Sequence, residues 1–448
     1  MFSLHRVVRV SLHSLICLLA VSAPAFAQAA RTNRDFVGSL FALGTLDPQE
    51  QEPANLGRIE QSARESADII AKFVGFGIAS VPLGSSSASF SYFRDPVTGE
   101  LSLKSRSFGP VFAERPLTNG QGIVNLGFSY QHSRTEYNQD FETADKRETG
   151  IPVVDNTARF QSDGFLQFTT RRVFLESAVD TYSVYASVGL TDKIDLGITV
   201  PISSVSMTGN WDESYDATRI YSAPTPQGAT ARTIFPAPAG HMPVPANTGT
   251  NSASGIGDVV IRSKFALTSQ QGAEGVALAF DVSLPTGNEE EFLGLGHTTG
   301  RVQVLTSKAL NGRASAYGNG GYRFGKDSNE ANYIAGVDVS LPPTDRLTIA
   351  VSLLGRSLRN AASLGRTQTV NRPNDNGVGN SPADLSDISV MRFFWESDTI
   401  NLHKLATEFK LHLGGQWLAT GAVLFSLNHA NMQPKPVPFF GVEWTGLH

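Results

Sequence analysis

Between Val184 and Ile202 the chain reads VYASVGLTDKIDLGITVPI, and in its second half Ile194, Leu196, Ile198, Val200 and Ile202 alternate with Asp195, Gly197, Thr199 and Pro201. A period of two marks a strand with one apolar face. Thr191, Asp192 and Lys193 form a short polar connection of the kind that reverses antiparallel neighbours. The opposite face carries a charge and small residues, which suits a watery or polar lumen better than a second dry core. The stretch predicts a hairpin of two membrane-facing strands in an outer-membrane β-barrel.

The same alternation recurs along the chain. Strands are predicted at Gly122–His132, Phe165–Glu176, Val179–Leu190, Ile194–Met207, Gly257–Leu267, Gly275–Leu284, Arg301–Lys308, Arg313–Phe324, Asn332–Leu341, Leu347–Arg356, Lys404–Leu413, Gln416–Leu427 and Val437–Trp444. Asn311-Gly312, Pro342-Pro343-Thr344-Asp345 and Gly414-Gly415 are turn signals between them. These are thirteen strands, and bacterial single-chain barrels have an even number. Ile388–Trp395 is the candidate for a fourteenth; twelve is the alternative, if that segment and one other belong to loops. Residues 208–254, rich in Thr, Pro, Ala and Asn, and 357–386, with Arg359, Arg366, Arg372 and Asp375 among asparagines and glycines, predict long exposed loops.

Before residue 119 the pattern differs. Arg6 and Arg9 precede the apolar run Leu15–Val21, and Ala25-Phe26-Ala27 follows as an A-x-A site, so 1–27 reads as a secretory signal peptide. Its removal takes away Cys17, the only cysteine, and with it any disulfide framework. Asn55 caps a predicted helix through Phe73 with Ile59, Ala63, Ala67 and Ile70 as a narrow stripe; Gly75 and Gly77 are expected to stop it. Ser87–Phe93 and Leu101–Arg106 predict a small hairpin across Asp95-Pro96-Val97-Thr98-Gly99. So thin a stripe cannot form its own core, so 36–118 reads as a plug inside the barrel, with a periplasmic extension at the barrel mouth as the alternative. The expected organisation is therefore all-β: signal peptide 1–27, partly helical N-terminal plug segment 28–118, and a transmembrane antiparallel β-barrel over 119–448.

Composition narrows the class further. The formal charge of −5 becomes −7 without Arg6 and Arg9, and no basic block remains, which argues against nucleic acid as a partner. Gly 42, Phe 27 and 17% charged residues fit strands with small lumen residues and an aromatic girdle. After the signal no apolar run is long enough to cross a bilayer as a helix, which leaves a barrel as the way across.

Several local motifs carry a family resemblance: Gly257-Asp258 opening a strand, Leu284-Pro285-Thr286-Gly287 and Val200-Pro201-Ile202 closing others, and Phe108-Gly109-Pro110 followed by Ala113-Glu114-Arg115. Over 108–444 the chain resembles the outer-membrane family associated with the MetA pathway of phenol degradation. That family is similar in turn to the long-chain fatty-acid channels of the outer membrane. The resemblance implies a fourteen-strand barrel with an N-terminal hatch and uptake of apolar small molecules. It departs at the end of the chain, where such barrels usually finish on an aromatic residue; here Thr445, Gly446, Leu447 and His448 follow Trp444.

The expected function is an outer-membrane channel for hydrophobic small molecules, with aromatic ones a candidate class. Its expected partners are outer-membrane lipid, the transported molecule and the barrel-insertion machinery, for a monomer. Phe73, Phe76, Phe90, Phe93, Phe108 and Phe112 are candidates to line a ligand path; packing the plug against the wall is the competing role for each. By strand parity Asp195, Asp258, Arg262, Lys264, Asp281, Asp338, Glu408 and Lys410 point into the lumen, and their mixed signs imply salt-bridged bracing of plug and wall, not a selectivity ring. No catalytic, metal or cofactor constellation emerges: His132 and Ser133 are adjacent and so face opposite ways, and His403 and His412 are nine apart. Asp95 and Glu100 flank a hairpin turn, not a calcium loop. The alternatives are a structural or adhesive barrel whose long loops bind something outside, or a simple pore.

Overall fold

The computed structural model describes residues 31–41, 71, 74–75, 77–78, 82, 84, 89–94, 101–137, 140–143, 146–149, 151–155, 165–224, 230–236, 249–268, 274–326, 329–364, 368–369, 389–390, 395–428 and 434–447. The expected signal peptide with Cys17 and most of the helix expected at 55–73 lie outside these residues. Helix α1 is Asn33–Phe41, and a small hairpin pairs β1 (Tyr92–Arg94) with β2 (Leu101–Leu103). Then follow β3 (Ile123–Tyr137), β4 (Asp140–Thr143), β5 (Lys146–Thr149), β6 (Ile151–Asp155), β7 (Phe165–Thr191), β8 (Ile194–Pro224), β9 (Thr230–Pro236), β10 (Gly249–Ile256) and β11 (Val259–Ala266). The remainder are β12 (Gly275–Leu284), β13 (Thr299–Ala309), β14 (Ala314–Phe324), β15 (Asn329–Leu341), β16 (Leu347–Leu364), β17 (Gln368–Thr369), β18 (Ser389–Val390), β19 (Trp395–Gly414), β20 (Trp417–Ser426) and β21 (Val437–Leu447). No helix among the described residues is long and apolar enough to cross a membrane.

Strands β3, β7, β8, β11, β12, β13, β14, β15, β16, β19, β20 and β21 pair antiparallel in that order, and β21 pairs back onto β3, closing a barrel of twelve. Parity explains the closure. Leu196, Ile198, Phe280, Val282, Val302 and Val304 are exposed on the outside, while Asp195, Lys264, Asp281 and Gln303 between them are buried. An apolar exterior and a polar interior on a closed antiparallel barrel are the architecture of the outer membrane.

One wall position is broken. Residues 194–199 of β8 pair with β11 and residues 202–209 pair with β10, so β10 and β11 form one path interrupted at Gly257-Asp258. Close approach favours glycine there, because a Cβ on Gly257 would stand 3.0 Å from the Pro201 ring and 3.1 Å from the Leu293 carbonyl oxygen, tighter than an ordinary contact. On the other side β12 ends at Leu284, and the far edge of β10 pairs with no strand among the described residues. The chain turns inward instead. Phe292 and Leu293 join Phe36, Val37 and Leu40 of α1 and the inward-facing Val179, Val205 and Met207 in one buried cluster.

The strand count corrects the expectation of fourteen. Phe165–Glu176 and Val179–Leu190 belong to a single strand, β7, because no residue between them turns the chain and pairing with β8 runs on past Ser177 and Ala178. Residues 389–390 pair with β17, not with the wall, and Trp395 already belongs to β19. Residues 208–224, 230–236 and 249–254 are strand, not loop, since β8 continues beyond Met207 and folds back as β9. Gly75 and Gly77 are helical and do not end a helix; the ring of Phe292 occupies the place a side chain on Gly75 would need.

Replacing Ile198 on the outward band with Arg is expected to cost up to about 2–4 kcal/mol. The check is the denaturant midpoint of the protein refolded into vesicles, which should fall for Ile198→Arg and hardly move for Ile198→Val.

Candidate functional site

The inward faces of the wall meet residues 89–94 and 101–120, which among the described residues have only the two short strands β1 and β2 and must find backbone partners elsewhere. Wall side chains supply them. Asp195 of β8 accepts from the Asn119 amide at 3.1 and 3.0 Å, and Lys264 of β11 donates to the Leu117 carbonyl at 3.0 Å. Asn319 of β14 donates to the Glu114 carbonyl at 3.0 Å, and Thr348 of β16 accepts from the Phe108 amide at 3.1 Å. Glu408 of β19 accepts from the Val111 amide, and Asp338 of β15 from the Ser107 hydroxyl. Lys410 donates to the Ser89 hydroxyl at 2.9 Å and to the Phe108 carbonyl at 3.2 Å, while Glu443 of β21 accepts from the Ser89 amide and hydroxyl at 2.5 and 2.8 Å. A buried polar group without a partner costs more than any one of these bonds contributes, so each wall residue and its partner hold one another in place.

Inside the segment Arg115 draws the chain together, donating to the carbonyls of Ser107 at 3.1 Å and Ser89 at 2.6 Å. Lys104 donates to the Thr118 carbonyl and hydroxyl, both at 3.1 Å. Burial lowers the Lys104 ammonium to about 8, against the opposing pull of Asp195 and Asp192.

Above this contact a belt of charge crosses the lumen wall. Arg262, Asp281, Arg301, Arg323 and Glu330 are cross-strand neighbours on β11 to β15. Asp281 accepts from Arg262 at 2.6 and 3.1 Å and from Arg301 at 2.7 Å, and Glu114 pairs with Arg262 from the opposite side. Glu330 accepts two bonds from Arg356 at 2.7 and 2.6 Å and lies 3.8 Å from Arg323. Asp258, at the break in the wall, accepts from the amides of Gly287 at 3.0 Å and Leu295 at 2.8 Å. The belt borders a cavity of about 230 Å³ that also touches Phe112, Phe292, Leu293, Ile334 and Leu354.

Sequence reasoning missed Arg301, Arg323, Glu330, Arg356 and Lys404. Their signal was available, because Val302, Val304, Tyr322 and Phe324 face outward and parity then turns 301 and 323 inward. Of the six phenylalanines proposed for a ligand path, Phe112 lines the cavity and packs edge-to-face on Phe439 at 5.5 Å between centroids. Phe90 and Phe108 are buried against Leu418 and the ring of His412. Phe73 and Phe76 and the side chain of Phe93 lie outside the described residues. His132 accompanies Tyr130 on Asp180, at 2.9 and 2.7 Å, whereas Ser133 is buried on the other face. His403 meets Tyr333 at 3.0 Å and His412 the Gly415 carbonyl at 3.0 Å. Among the described residues no three His, Cys, Asp or Glu side chains are grouped to hold a metal ion.

Residues 181–349 match the family model described as putative MetA-pathway of phenol degradation. An outer membrane channel from Pseudomonas putida F1 is similar in structure at 12% identity and a TM-score of 0.39, over 74% of this chain and 97% of that one. The translocator domain of autotransporter NalP from Neisseria meningitidis is similar at 10% identity and a TM-score of 0.31, over 73% and 89%. A Pseudomonas aeruginosa FadL homologue is similar at 8% identity and a TM-score of 0.29, over 72% and 89%. A comparison with curated proteins found no match.

The Lys104 ammonium has a folded-state value below that of the free side chain at 10.5, so its charge burdens the folded protein below about pH 8. That burden disappears as pH rises from about 8 to 10.5. Stability of the native protein relative to Lys104→Met is therefore expected to rise with pH across this window, read from paired denaturant midpoints; parallel midpoints would contradict the assignment.

Proposed function

We propose that the chain is an outer-membrane channel for hydrophobic small molecules, aromatic ones among them, exported to a Gram-negative outer membrane behind a signal peptide and acting without chemistry of its own. Residues 36–118 serve as its plug, braced by the mixed lumen charges Asp195, Arg262, Lys264, Asp338, Glu408 and Lys410, while Asp281 holds Arg262 and Asp258 holds the inward turn at Gly287 and Leu295. The observation that carries the reading is the cavity of about 230 Å³ between wall and segment, with Phe112, Phe292 and Leu293 on it. A water-filled pore for polar solutes would need an open path, and here wall side chains of six strands are committed to the backbone of residues between 89 and 119. The wall break at Gly257-Asp258 adds support, since the chain turns inward there and brings Phe292 and Leu293 of the cavity lining into the buried apolar cluster with α1.

Uptake into proteoliposomes tests the reading. Labelled toluene should enter vesicles holding the intact protein faster than empty ones, while sucrose should not. Sucrose entry at a rate matching toluene would support the simple pore, and entry of neither would leave the barrel as a structural or adhesive one.

A further inference from the structure

The cavity is lined by five cations, Arg262, Arg301, Arg323, Arg356 and Lys404, against four carboxylates. Each arginine has a carboxylate. Arg262 and Arg301 share Asp281, and Arg323 and Arg356 share Glu330. Lys404 has none: although the residue is only 6% exposed, its ammonium has no hydrogen-bond or ion-pair partner among the described residues, and the one charge acting on it is that of Arg356. A buried ammonium in this condition is costly unless an anion arrives to meet it. Nearby, the Nδ2 donor of Asn332, cross-strand from Arg356, is also buried without an acceptor and faces the same cavity. Gln131 Oε1, Gln303 Oε1 and Asn319 Oδ1 on the same lining are buried acceptors without a donor, so it is the surplus positive charge on Lys404, with the Asn332 donor cross-strand from Arg356, that describes a site for a monoanion.

The neighbours of Lys404 decide what else that anion carries. Leu354 is its cross-strand partner on β16 and Ile334 is the partner of Leu354 on β15. Phe112 packs into the same apolar cluster. An apolar wall beside a lone ammonium suits an amphipathic ligand, with the acid on Lys404 and the hydrocarbon on Phe112, Ile334 and Leu354. Volume sets the scale. A cavity of about 150 Å³ takes benzene, so 230 Å³ accommodates one ring with a carboxylate.

We propose that this cavity binds a compact aromatic carboxylate, its acid group held by Lys404 with help from Asn332. The proposal rests on the channel reading and deepens it by naming a class of passenger. It is tested by calorimetry on the full chain in lipid nanodiscs with benzoate, its uncharged analogue benzyl alcohol, and octanoate. Benzoate is expected to bind at least about tenfold more tightly than benzyl alcohol, as one charge-assisted hydrogen bond warrants. Lys404→Met should weaken benzoate about tenfold or more and leave benzyl alcohol unchanged, and Lys404→Arg should restore most of the loss. Benzoate binding that is absent, or indifferent to Lys404→Met, would overturn the proposal; tighter binding of octanoate would overturn the single-ring assignment. Toluene entry into vesicles separates the two levels. If toluene passes and benzoate does not bind, only the carboxylate site fails; if benzoate binds through Lys404 and toluene does not pass, the channel reading fails and the site stands.

Discussion

Every backbone amide and carbonyl that enters a barrel without a sheet of its own must be matched by something on the wall. That requirement organises this molecule. The described residues of 89–94 and 101–120 have little regular structure, and the wall answers with Asp195, Lys264, Asn319, Thr348, Glu408, Lys410 and Glu443, all on inward positions and all bonded to that segment. Charge here acts mainly as hydrogen-bonding capacity. Carboxylates take amides, ammonium groups take carbonyls, and their mixed signs follow from the mixed polarity of a peptide backbone.

The same constraint accounts for the exterior. Positions alternating with those polar residues have no partner to offer and meet lipid, so Leu196, Ile198, Val302, Val304 and Val442 are exposed and apolar. At Gly257-Asp258 the alternation gives way. Asp258 spends its carboxylate on the Gly287 and Leu295 amides, fixing the inward turn that carries Phe292 and Leu293 to α1. A single polar side chain thereby couples the break in the wall to the apolar cluster inside it.

Strand parity made the barrel legible from the chain, since hairpins such as Thr191-Asp192-Lys193 announce themselves through turn chemistry and flanking alternation. It failed at β7, where Ser177 and Ala178 resemble a pause in the apolar pattern although the strand runs straight through. Past Met207 the sequence of β8 is largely polar and does not alternate, so alternation no longer reports strand; this is why β8 past Met207 looked like loop. The partnership of Arg301, Arg323, Glu330 and Arg356 was out of reach for another reason. Parity assigns each of them a face, but register between strands decides which charges become neighbours, and it is set by turn lengths such as 309–314 and 324–329. The packing of Phe112 on Phe439, so far apart in the chain, has no local signature at all.

The central claim is that the wall holds residues 104–120 within the lumen by hydrogen bonds. Amide hydrogen exchange on the native protein in lipid measures this directly. The account predicts that the amides of Phe108, Val111 and Asn119, bonded to Thr348, Glu408 and Asp195, exchange as slowly as those of the wall strands. Exchange of these three amides at the rate of an exposed peptide would contradict it.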